Sequence, residues 1–467
     1  MNTTTEKKGL NISAKSFITA IIVIFVLMLL TYVLTFVIPG GEYARITEAN
    51  GTTIIDTDGG FKNIEGGIPF WKWLLSPFLV LGAEGSGTLI AVIVFLLVIG
   101  GVFNSLEKFG LMKYMLDRIV NRYGSARYKL LAIIILFFMA LGAFIGSFEE
   151  CVPLVPIVVA LAISLGWDAL TGLGMSLLAV GCGFAAGVCN PFTVGVAQGL
   201  AELPMFSGVW LRALSFVLIY TLLWLFVRGH AKKVEKPMES SETDFQNNAK
   251  MDRGLKVFLC ILGIGILLIL SSGFISALQD YTMIIVAVMF LAAGIISTLV
   301  AGMSGKDLGR TFTDGVVSIL PAVLMILMAS SIKYTLDQSH ILDTILHAAV
   351  LTAATLPKWV VILFIYLVVL VMNFFIPSGS AKAFLLIPLI VPIANVFSIP
   401  AQLCIVAYAF GDGFSNVFYP TNPVLLIGLG LANVGYTDWV KWSWKFQLVN
   451  LALTSGILLF GLAVGYC

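Results

Sequence analysis

Charged residues interrupt two apolar stretches of this sequence at matched places. Glu149 and Glu150 lie in one stretch, and Lys382 lies in the other, 232 positions after Glu150 (382 − 150 = 232). Charged groups at membrane depth are costly, and those that occur usually have a function. Lys382 can bind a carboxylate, and a glutamate can bind an ammonium or guanidinium group. These residues predict a site for a small molecule with both signs of charge. The alternative is a Glu–Lys ion pair that only holds the two segments together.

Two Asn-Pro pairs recur with the same separation. Asn190-Pro191 and Asn422-Pro423 lie 232 residues apart (422 − 190 = 232). Proline lacks an amide hydrogen and clashes with the preceding helical turn, so each pair breaks a helix and frees backbone carbonyls. Freed carbonyls and Asn side-chain oxygens can coordinate Na⁺, and each restarted half-helix directs its positive dipole end inwards. A kink with a packing role would explain one such pair, whereas two matched pairs favour an ion or substrate site.

The polar residues at these tips and breaks form the predicted site. The candidate substrate-binding residues are Ser147, Glu149, Glu150, Asn190, Thr193, Ser378, Gly379, Ser380, Lys382, Asp412, Thr421 and Asn422. The candidate Na⁺ ligands are Ser147, Asn190, Ser378 and Asn422, and H⁺ is the alternative coupling ion. Asp412 can act as a second acid or a proton carrier. The alternative is that Asp412 pairs with Arg212 or another polar group.

The composition places this chain in a membrane. Of its 467 residues, 59% are hydrophobic and 11% are charged. A soluble protein of this length cannot bury so much apolar surface. The sequence has no Walker A motif, no pattern of a catalytic triad or metal cluster, and no basic face for nucleic acid. It therefore predicts neither an enzyme nor an ATP-driven pump, and it implies no cofactor. The expected partners are a small-molecule substrate and membrane lipid.

Nine apolar segments are long enough to cross a bilayer, which takes about 20 residues. They are 17–38, 87–106, 169–203, 207–228, 254–275, 280–301, 313–333, 402–432 and 437–465. The Asn-Pro pairs interrupt 169–203 and 402–432. Two further segments, 130–165 and 359–398, each have two apolar arms joined by a polar tip, and an arm of about 16 helical residues spans about 24 Å. We therefore predict an all-α polytopic membrane protein with about nine transmembrane helices and two re-entrant hairpins.

Charge placement gives the orientation. With a cytoplasmic N-terminus and two re-entrant hairpins, the inside loops are 1–16, 107–129, 228–253, 302–312 and 433–446. The outside loops are 39–86, 199–210, 273–279 and 333–358. The inside loops contain 19 Lys and Arg residues and the outside loops contain 5, as the positive-inside rule requires. The two hairpins then enter from opposite faces, which makes the repeats inverted, the symmetry that alternating access uses.

This topology divides the chain into five parts. They are an N-terminal helix and outside loop at 1–86, repeat 1 at 87–228, a cytoplasmic linker at 229–253, scaffold helices at 254–312, and repeat 2 at 313–467. The linker is charged and low in apolar residues, which indicates a flexible connection. Each repeat contains one hairpin followed by one broken helix, so we expect the binding site where these four elements meet.

The local sequences at the tips and breaks resemble the YfcC family of the ion transporter superfamily. The resemblance rests on Gly-Ser-Phe-Glu-Glu at 146–150 and Tyr-Pro-Thr-Asn-Pro at 419–423, and it covers nearly the whole chain outside the N-terminus and linker. This family is grouped with anaerobic four-carbon dicarboxylate carriers and includes arginine–ornithine exchangers. The resemblance implies a homodimer in a bacterial inner membrane, with a scaffold part and an elevator-type transport part that carries the hairpins.

The tips depart from those of the superfamily's divalent anion/sodium symporters. Those symporters carry Ser-Asn-Thr at both tips, whereas residues 147–149 are Ser-Phe-Glu and residues 378–380 are Ser-Gly-Ser. Asn190 and Asn422 match the asparagines of the symporters' broken helices. The resemblance therefore implies the same scaffold with a different set of ligand-binding side chains.

The sequence as a whole predicts a secondary transporter that works as an antiporter or as an ion-coupled carrier. Its predicted substrate is a small carboxylate-bearing amino acid, in the first place a basic one like arginine or ornithine. The alternative is a carrier of dicarboxylates like succinate or fumarate, in which Lys382 and helix N-termini bind both carboxylates while Glu149 and Glu150 stay protonated. A channel is a more distant alternative, which unsaturable currents without counterflow would indicate.

Overall fold

The computed structural model describes residues 14–47, 53–55, 60–83, 86–146, 148–204, 206–237, 248–272, 282–353 and 355–466. These residues are almost entirely helical. A bilayer offers the backbone no hydrogen-bond partners, and a helix satisfies its N–H and C=O groups internally. Nine of the described helical segments are long and apolar enough to cross a membrane. The chain is therefore an all-α polytopic membrane protein.

The helices follow one another with short connections. The α-helices are Ala14–Val37, Phe70–Leu74, Ser76–Leu79, Ser86–Phe109, Leu111–Tyr123, Arg127–Ala140, Val155–Ser164, Ala169–Leu173, Ala179–Ala186, Val196–Leu200, Val209–Val234, Ala249–Ser272, Thr282–Ala301, Gly305–Gln338, Leu342–Ala353, Lys358–Phe375, Gly379–Val396, Ala401–Asn416, Pro423–Leu431 and Tyr436–Ala463. The 3₁₀-helices are Val80–Gly82, Gly124–Ala126 and Glu149–Leu154. Leu141–Ile145, Gly174–Leu178 and Pro191–Gly195 are π-helical turns.

The nine membrane-length helices are not the nine segments predicted from the sequence. They include three hairpin arms, which are Arg127–Ile145, Lys358–Phe375 and Gly379–Val396. The predicted span 313–333 belongs to one helix of 34 residues, Gly305–Gln338, so most of the predicted inside loop 302–312 is helical. Such a helix is about 51 Å long, which exceeds the hydrocarbon core. The agreement between nine predicted segments and nine membrane-length helices therefore supports a polytopic membrane protein. It does not support every predicted span individually.

Segments 130–165 and 359–398 each fold into two helical arms joined by a short non-helical tip. The arms are 127–145 and 149–164 in the first hairpin, and 358–375 and 379–396 in the second. Gly146 begins the first tip with a φ of 77°, a left-handed conformation that glycine adopts without a steric penalty. The entry of the two hairpins into the membrane from opposite faces stays a prediction.

The two broken helices lie at the centre of the fold. The apolar window of Ala169–Leu200 is 94% buried, against 28% for Val209–Val234. In the second broken helix, every residue from 402 to 416 is buried. The helices touch each other closely, because a Cβ atom on Gly413 would lie 2.3 Å from the backbone of Ala185. The interrupted backbone is thus surrounded by protein, as a membrane requires of irregular segments.

Short strands lie in the loop after the first helix, where the sequence predicted no regular structure. Gly41–Tyr43 pairs with Phe61–Asn63, and Arg45–Thr47 pairs with Thr53–Ile55, both antiparallel. Asp343 ties this loop to helix Leu342–Ala353, since its Oδ2 accepts hydrogen bonds from Tyr43 N at 3.0 Å and Arg45 Nη2 at 2.8 Å. Strands of three residues are too short to show the alternation that reveals a strand in sequence.

The described ends of the predicted linker 229–253 are attached to the fold. Helix Val209–Val234 continues six residues beyond 228. Glu235 forms an ion pair with Arg127 at the start of the first hairpin. The Lys236 amide donates to the Gly166 carbonyl at 2.8 Å, in the turn where that hairpin ends. The prediction of flexibility for the middle of this linker concerns residues 238–247, outside the described residues.

Candidate functional site

Lys382 and Asp412 form a buried ion pair between the second hairpin and the second broken helix. Lys382 lies in the first turn of Gly379–Val396, and Asp412 lies in Ala401–Asn416. Lys382 Nζ is 2.6 Å from Asp412 Oδ1, and neither side chain is exposed. Buried charges persist only when they are paired and hydrogen-bonded. This pair therefore holds the hairpin tip against the centre of the fold.

The partner of Lys382 differs from the predicted glutamate. The sequence comparison aligned Lys382 with Glu150 of the first tip, but its ion-pair partner is Asp412, 30 residues later in the same repeat. The reason is the packing of the second hairpin arm beside its own repeat's broken helix. Asp412 lies on the side of that helix that the hairpin covers. Asp412 thus pairs with a polar group other than Arg212, and its predicted role in substrate binding stays a prediction.

Three asparagines extend the polar network from this pair. Asn373, near the end of the first arm of the second hairpin, accepts a hydrogen bond from Lys382 Nζ. Its Nδ2 donates to Ser415 Oγ at 2.7 Å and to Asn416 Oδ1 at 2.8 Å. Asn422 Nδ2 donates to the same Asn416 oxygen at 2.8 Å. The network connects the ion pair to the break of the second broken helix.

Asn373, Ser415 and Asn416 were not predicted from the sequence. The positions 232 residues earlier hold Leu141, Gly183 and Phe184, so the comparison of repeats gave no signal. Burial of an asparagine in an apolar helix is unfavourable in free energy unless its amide is hydrogen-bonded. The position of Asn373 in an apolar arm could therefore have identified it as a candidate from the sequence. Tyr408 was missed as well; it donates to the Gly379 carbonyl, and its ring centroid lies 5.8 Å from Lys382 Nζ.

The two Asn-Pro breaks share the same asparagine cap, although the chain restarts as a π-helical turn at Pro191–Gly195 and as an α-helix at Pro423–Leu431. Asn190 Oδ1 accepts a hydrogen bond from Phe192 N at 2.9 Å, and Asn422 Oδ1 accepts one from Val424 N at 2.9 Å. In both cases asparagine caps the restarted half-helix, whose first amides would otherwise lack partners. The proline that follows occupies the first helical position, where its missing N–H costs nothing. The predicted helix breaks are present at both positions.

Four buried polar atoms around these breaks have no hydrogen-bond partner among the described residues. They are Asn190 Nδ2, Thr193 Oγ1, Asp412 Oδ2 and Thr421 Oγ1. Each of the four residues is at most 4% exposed. A buried polar group without a partner is costly. Asp412 and Thr193, two of the four residues, both contact Gly379, and buried groups of this kind are candidates for a functional role.

The first hairpin tip contributes Glu149. Its side chain is half-buried, and its carboxyl group is in electrostatic range of Asp412, with like charges that repel each other. Glu150 lies next to it in Glu149–Leu154, and its predicted role stays a prediction. Ser147 lies outside the described residues. The described charges at the site are thus Glu149, Asp412 and Lys382.

At the second hairpin tip, the backbone at Gly379 contributes more to the site than the side chains of Ser378 and Ser380 do. Ser378 is exposed, and its Oγ caps Gly379–Val396 by accepting from Ala381 N at 3.5 Å. Gly379 lies directly against Asp412, and Ser380 is half-buried. The side-chain oxygens of Asn190, Ser378 and Asn422 all act as helix caps. Asn190 Oδ1 accepts two backbone hydrogen bonds, from Phe192 N and Thr193 N. Coordination of Na⁺ by these oxygens stays a prediction.

Arg212 is not the partner of Asp412. It is fully buried, and it donates to the carbonyls of Val188 at 3.2 Å, Phe206 at 3.2 Å and Ser207 at 3.0 Å. The Val188 carbonyl lies in the break just before Asn190. Arg212 therefore stabilises the end of the first half-helix, where carbonyls lack intrahelical donors.

We expect Asn190 to have two separable roles. Asn190→Ala removes the cap and lowers stability by about 1 kcal/mol, whereas Asn190→Ser keeps a neutral capping oxygen and retains the cap, since serine caps helices about as well as asparagine. Both variants lose transport, because both remove the unpartnered Nδ2 donor. Thermal unfolding in detergent and uptake into proteoliposomes measure the two effects. Wild-type uptake by Asn190→Ser would show that the cap is the only role.

Comparison with known proteins supports a transporter. The family model of the C4-dicarboxylate anaerobic carriers, DcuC, matches residues 17–463. The Escherichia coli protein YfcC, named as a candidate basic amino acid antiporter, is 29% identical over 406 residues, covering 81% of this chain and 79% of its own. An uncharacterised Haemophilus influenzae protein is 26% identical over 492 aligned residues, covering 94% and 95%.

Two solved structures are similar over almost the full length. The YdaH transporter of Alcanivorax borkumensis has a TM-score of 0.43 and 20% identity, with 96% of this chain and 99% of that chain covered. MtrF of Neisseria gonorrhoeae, described within a class of antimetabolite efflux pumps, has a TM-score of 0.42 and 14% identity, with 95% of each chain covered.

Proposed function

The chain belongs to the C4-dicarboxylate anaerobic carrier family, and we propose that it is a secondary transporter of a basic amino acid, of the size of arginine or ornithine. It works by exchange or ion coupling across a bacterial cytoplasmic membrane, with its N-terminus in the cytoplasm. The observation that carries the proposal is the buried ion pair of Lys382 and Asp412, with the half-buried Glu149 carboxyl group in electrostatic range of Asp412.

The balance of charge at this place favours a basic amino acid. Two carboxyl groups and one ammonium group give a net charge of about −1 when all three are ionised. A dicarboxylate brings two further negative charges into this site, and like charges in a low-dielectric interior repel strongly. A basic amino acid brings one carboxylate and two cationic groups. Its charges can therefore neutralise all three residues, which desolvated charges require.

The relation between the two broken helices supports alternating access by inverted repeats. Gly181 contacts Val417, and Ala185 contacts Gly413. At the offset of 232, Gly181 corresponds to Gly413 and Ala185 to Val417. Each contact is therefore the counterpart of the other, as a two-fold axis demands. Such a relation lets one repeat take the arrangement of the other and so expose the site to the opposite face. We place the hairpins and broken helices in the moving part of an elevator-type carrier.

Counterflow in proteoliposomes tests the substrate. Vesicles loaded with arginine should accumulate labelled arginine, ornithine or lysine from outside, and vesicles loaded with buffer should not. Citrulline is the matched control, because it has the shape of arginine without the side-chain cation; we expect it to exchange poorly. The proposal would be overturned if succinate or fumarate showed counterflow and no basic amino acid did.

A dicarboxylate carrier is the second candidate, and the family description favours it. In that case Lys382 binds one carboxylate, and Glu149 and Asp412 take up protons to remove the repulsion. Dicarboxylate uptake would then increase steeply as the pH falls. Exchange of arginine that is independent of dicarboxylates would exclude this candidate.

A further inference from the structure

Gly379 packs against two residues that have unpartnered oxygens. A Cβ atom built on Gly379 would lie 2.6 Å from Asp412 Oδ2 and 2.6 Å from the Thr193 methyl carbon, so Asp412 Oδ2 and that methyl are at most 5.2 Å apart. Asp412 Oδ2 and Thr193 Oγ1 are both buried without a hydrogen-bond partner among the described residues. Asp412 and Thr193 therefore each have a free acceptor near the same glycine, and a cation with N–H donors can use such acceptors.

Lys382 supplies the complementary half. Its Nζ has three donors, and its hydrogen bonds within the described structure go to Asn373 Oδ1 and Asp412 Oδ1. One N–H is left for a ligand carboxylate. Because Asp412 binds Lys382 through Oδ1 and leaves Oδ2 free, the two halves are adjacent. An ammonium group and a carboxylate on neighbouring atoms match this arrangement, and an α-amino acid carries that pair.

We propose that Asp412 Oδ2 and Thr193 Oγ1 bind the α-ammonium group of the substrate beside Gly379, while Lys382 binds its α-carboxylate. This assignment rests on the proposed function and makes Asp412 the residue that selects α-amino acids over other carboxylates. The side-chain cation is left for Glu149 at the first hairpin tip, whose carboxyl group is in electrostatic range of Asp412.

The other groups around Asp412 are consistent with this role. The Asn416 amide, one turn further along the helix, is near the same carboxyl group and also binds Asn373 and Asn422. The Tyr408 hydroxyl donates to the Gly379 carbonyl and fixes the backbone at the subsite. Among the side chains that the structure describes, Lys382 of the second hairpin pairs with Asp412, and Glu149 of the first hairpin interacts with it electrostatically.

Three ligands and two variants test the assignment. The full-length protein, purified in detergent, is titrated with arginine, with its desamino analogue 5-guanidinopentanoate, and with agmatine, which lacks the carboxylate. The wild type should bind the desamino analogue about 10- to 100-fold more weakly than arginine, because a charge-assisted hydrogen bond is lost. In Asp412→Asn that ratio should fall to within about threefold.

Thr193→Val is a second variant, and we expect it to fold like the wild type. Valine has the shape of threonine, and the Thr193 hydroxyl has no partner to lose, so unfolding should be unchanged. Arginine binding should weaken about three- to tenfold, with no change for the desamino analogue. Gly379→Ala, whose methyl fills the subsite, should weaken arginine and agmatine together.

The outcomes separate this assignment from the proposed function. If the wild type binds none of the basic amino acids, the proposed function fails and the assignment fails with it. If arginine binds but Asp412→Asn and Thr193→Val both keep the wild-type ratio, the assignment alone is overturned. A melting temperature that rises with Na⁺ in the wild type and not in Thr193→Val, without substrate, would place a metal cation at the subsite and would also overturn it.

Discussion

Replacement of Lys382 by methionine abolishes counterflow and lowers the free energy of unfolding by about 3–5 kcal/mol. Methionine fills most of the same space without a charge, so the Asp412 carboxylate stays buried without its partner. Asn373 Oδ1 loses its donor in the same step. A buried charge that has neither water nor a counter-charge is strongly destabilising, which explains the size of the effect. Thermal or denaturant unfolding in detergent measures the stability, and proteoliposome counterflow measures the transport.

A double substitution separates these two losses. Lys382→Met combined with Asp412→Leu removes both charges, and apolar replacement of a buried ion pair is often neutral for stability. We expect unfolding close to that of the wild type and no transport, because no group is left to bind the substrate carboxylate. Lys358→Met is the matched control, since Lys358 is exposed at the start of the same hairpin. Transport by the double variant would contradict a role of the pair in binding.

The helix breaks that the sequence predicted are features that the two repeats share. Asn190 and Asn422 appear in both halves with proline after them, and the structure gives them equivalent caps. A proline break needs no tertiary contact to form, because the missing N–H and the steric clash are properties of the residue itself. The broken helices could therefore be located from one sequence.

The ion-pair partner of Lys382 could not be predicted from the sequence in the same way. The repeat comparison relates equivalent positions, and Asp412 is equivalent to Val180, an apolar residue. The pairing depends on how a hairpin arm rotates against its neighbouring helix, which linear spacing does not record. Asn373 was missed for a similar reason. Lys382 and Asp412 could be named as candidates from the sequence, but their pairing, which breaks the repeat symmetry, becomes visible only in the structure.

Gly413→Ala abolishes transport by separating the two broken helices. The added Cβ would lie 2.3 Å from the Cα and N atoms of Ala185. Backbone atoms cannot rotate away, so an ordinary contact of 3.4 Å requires a displacement of about 1.1 Å (3.4 − 2.3). Overpacking of this kind costs about 1–3 kcal/mol. A displacement of about 1 Å near a site can reduce its rate about 100-fold, and Asp412 precedes Gly413 directly.

The symmetry-related position shows whether separation of the helices is the cause. Gly181→Ala meets the side chain of Val417 at 2.3 Å, and a side chain can be shortened. Gly181→Ala should impair transport, and Val417→Ala in the same chain should restore it. Ala185→Gly should not rescue Gly413→Ala, because the clashing backbone remains. Gly456→Ala, whose Cβ meets nothing within 4 Å in helix Tyr436–Ala463, is the control and should transport normally. Rescue in both pairs would show that the helices adjust, and the close crossing would then not be needed for transport.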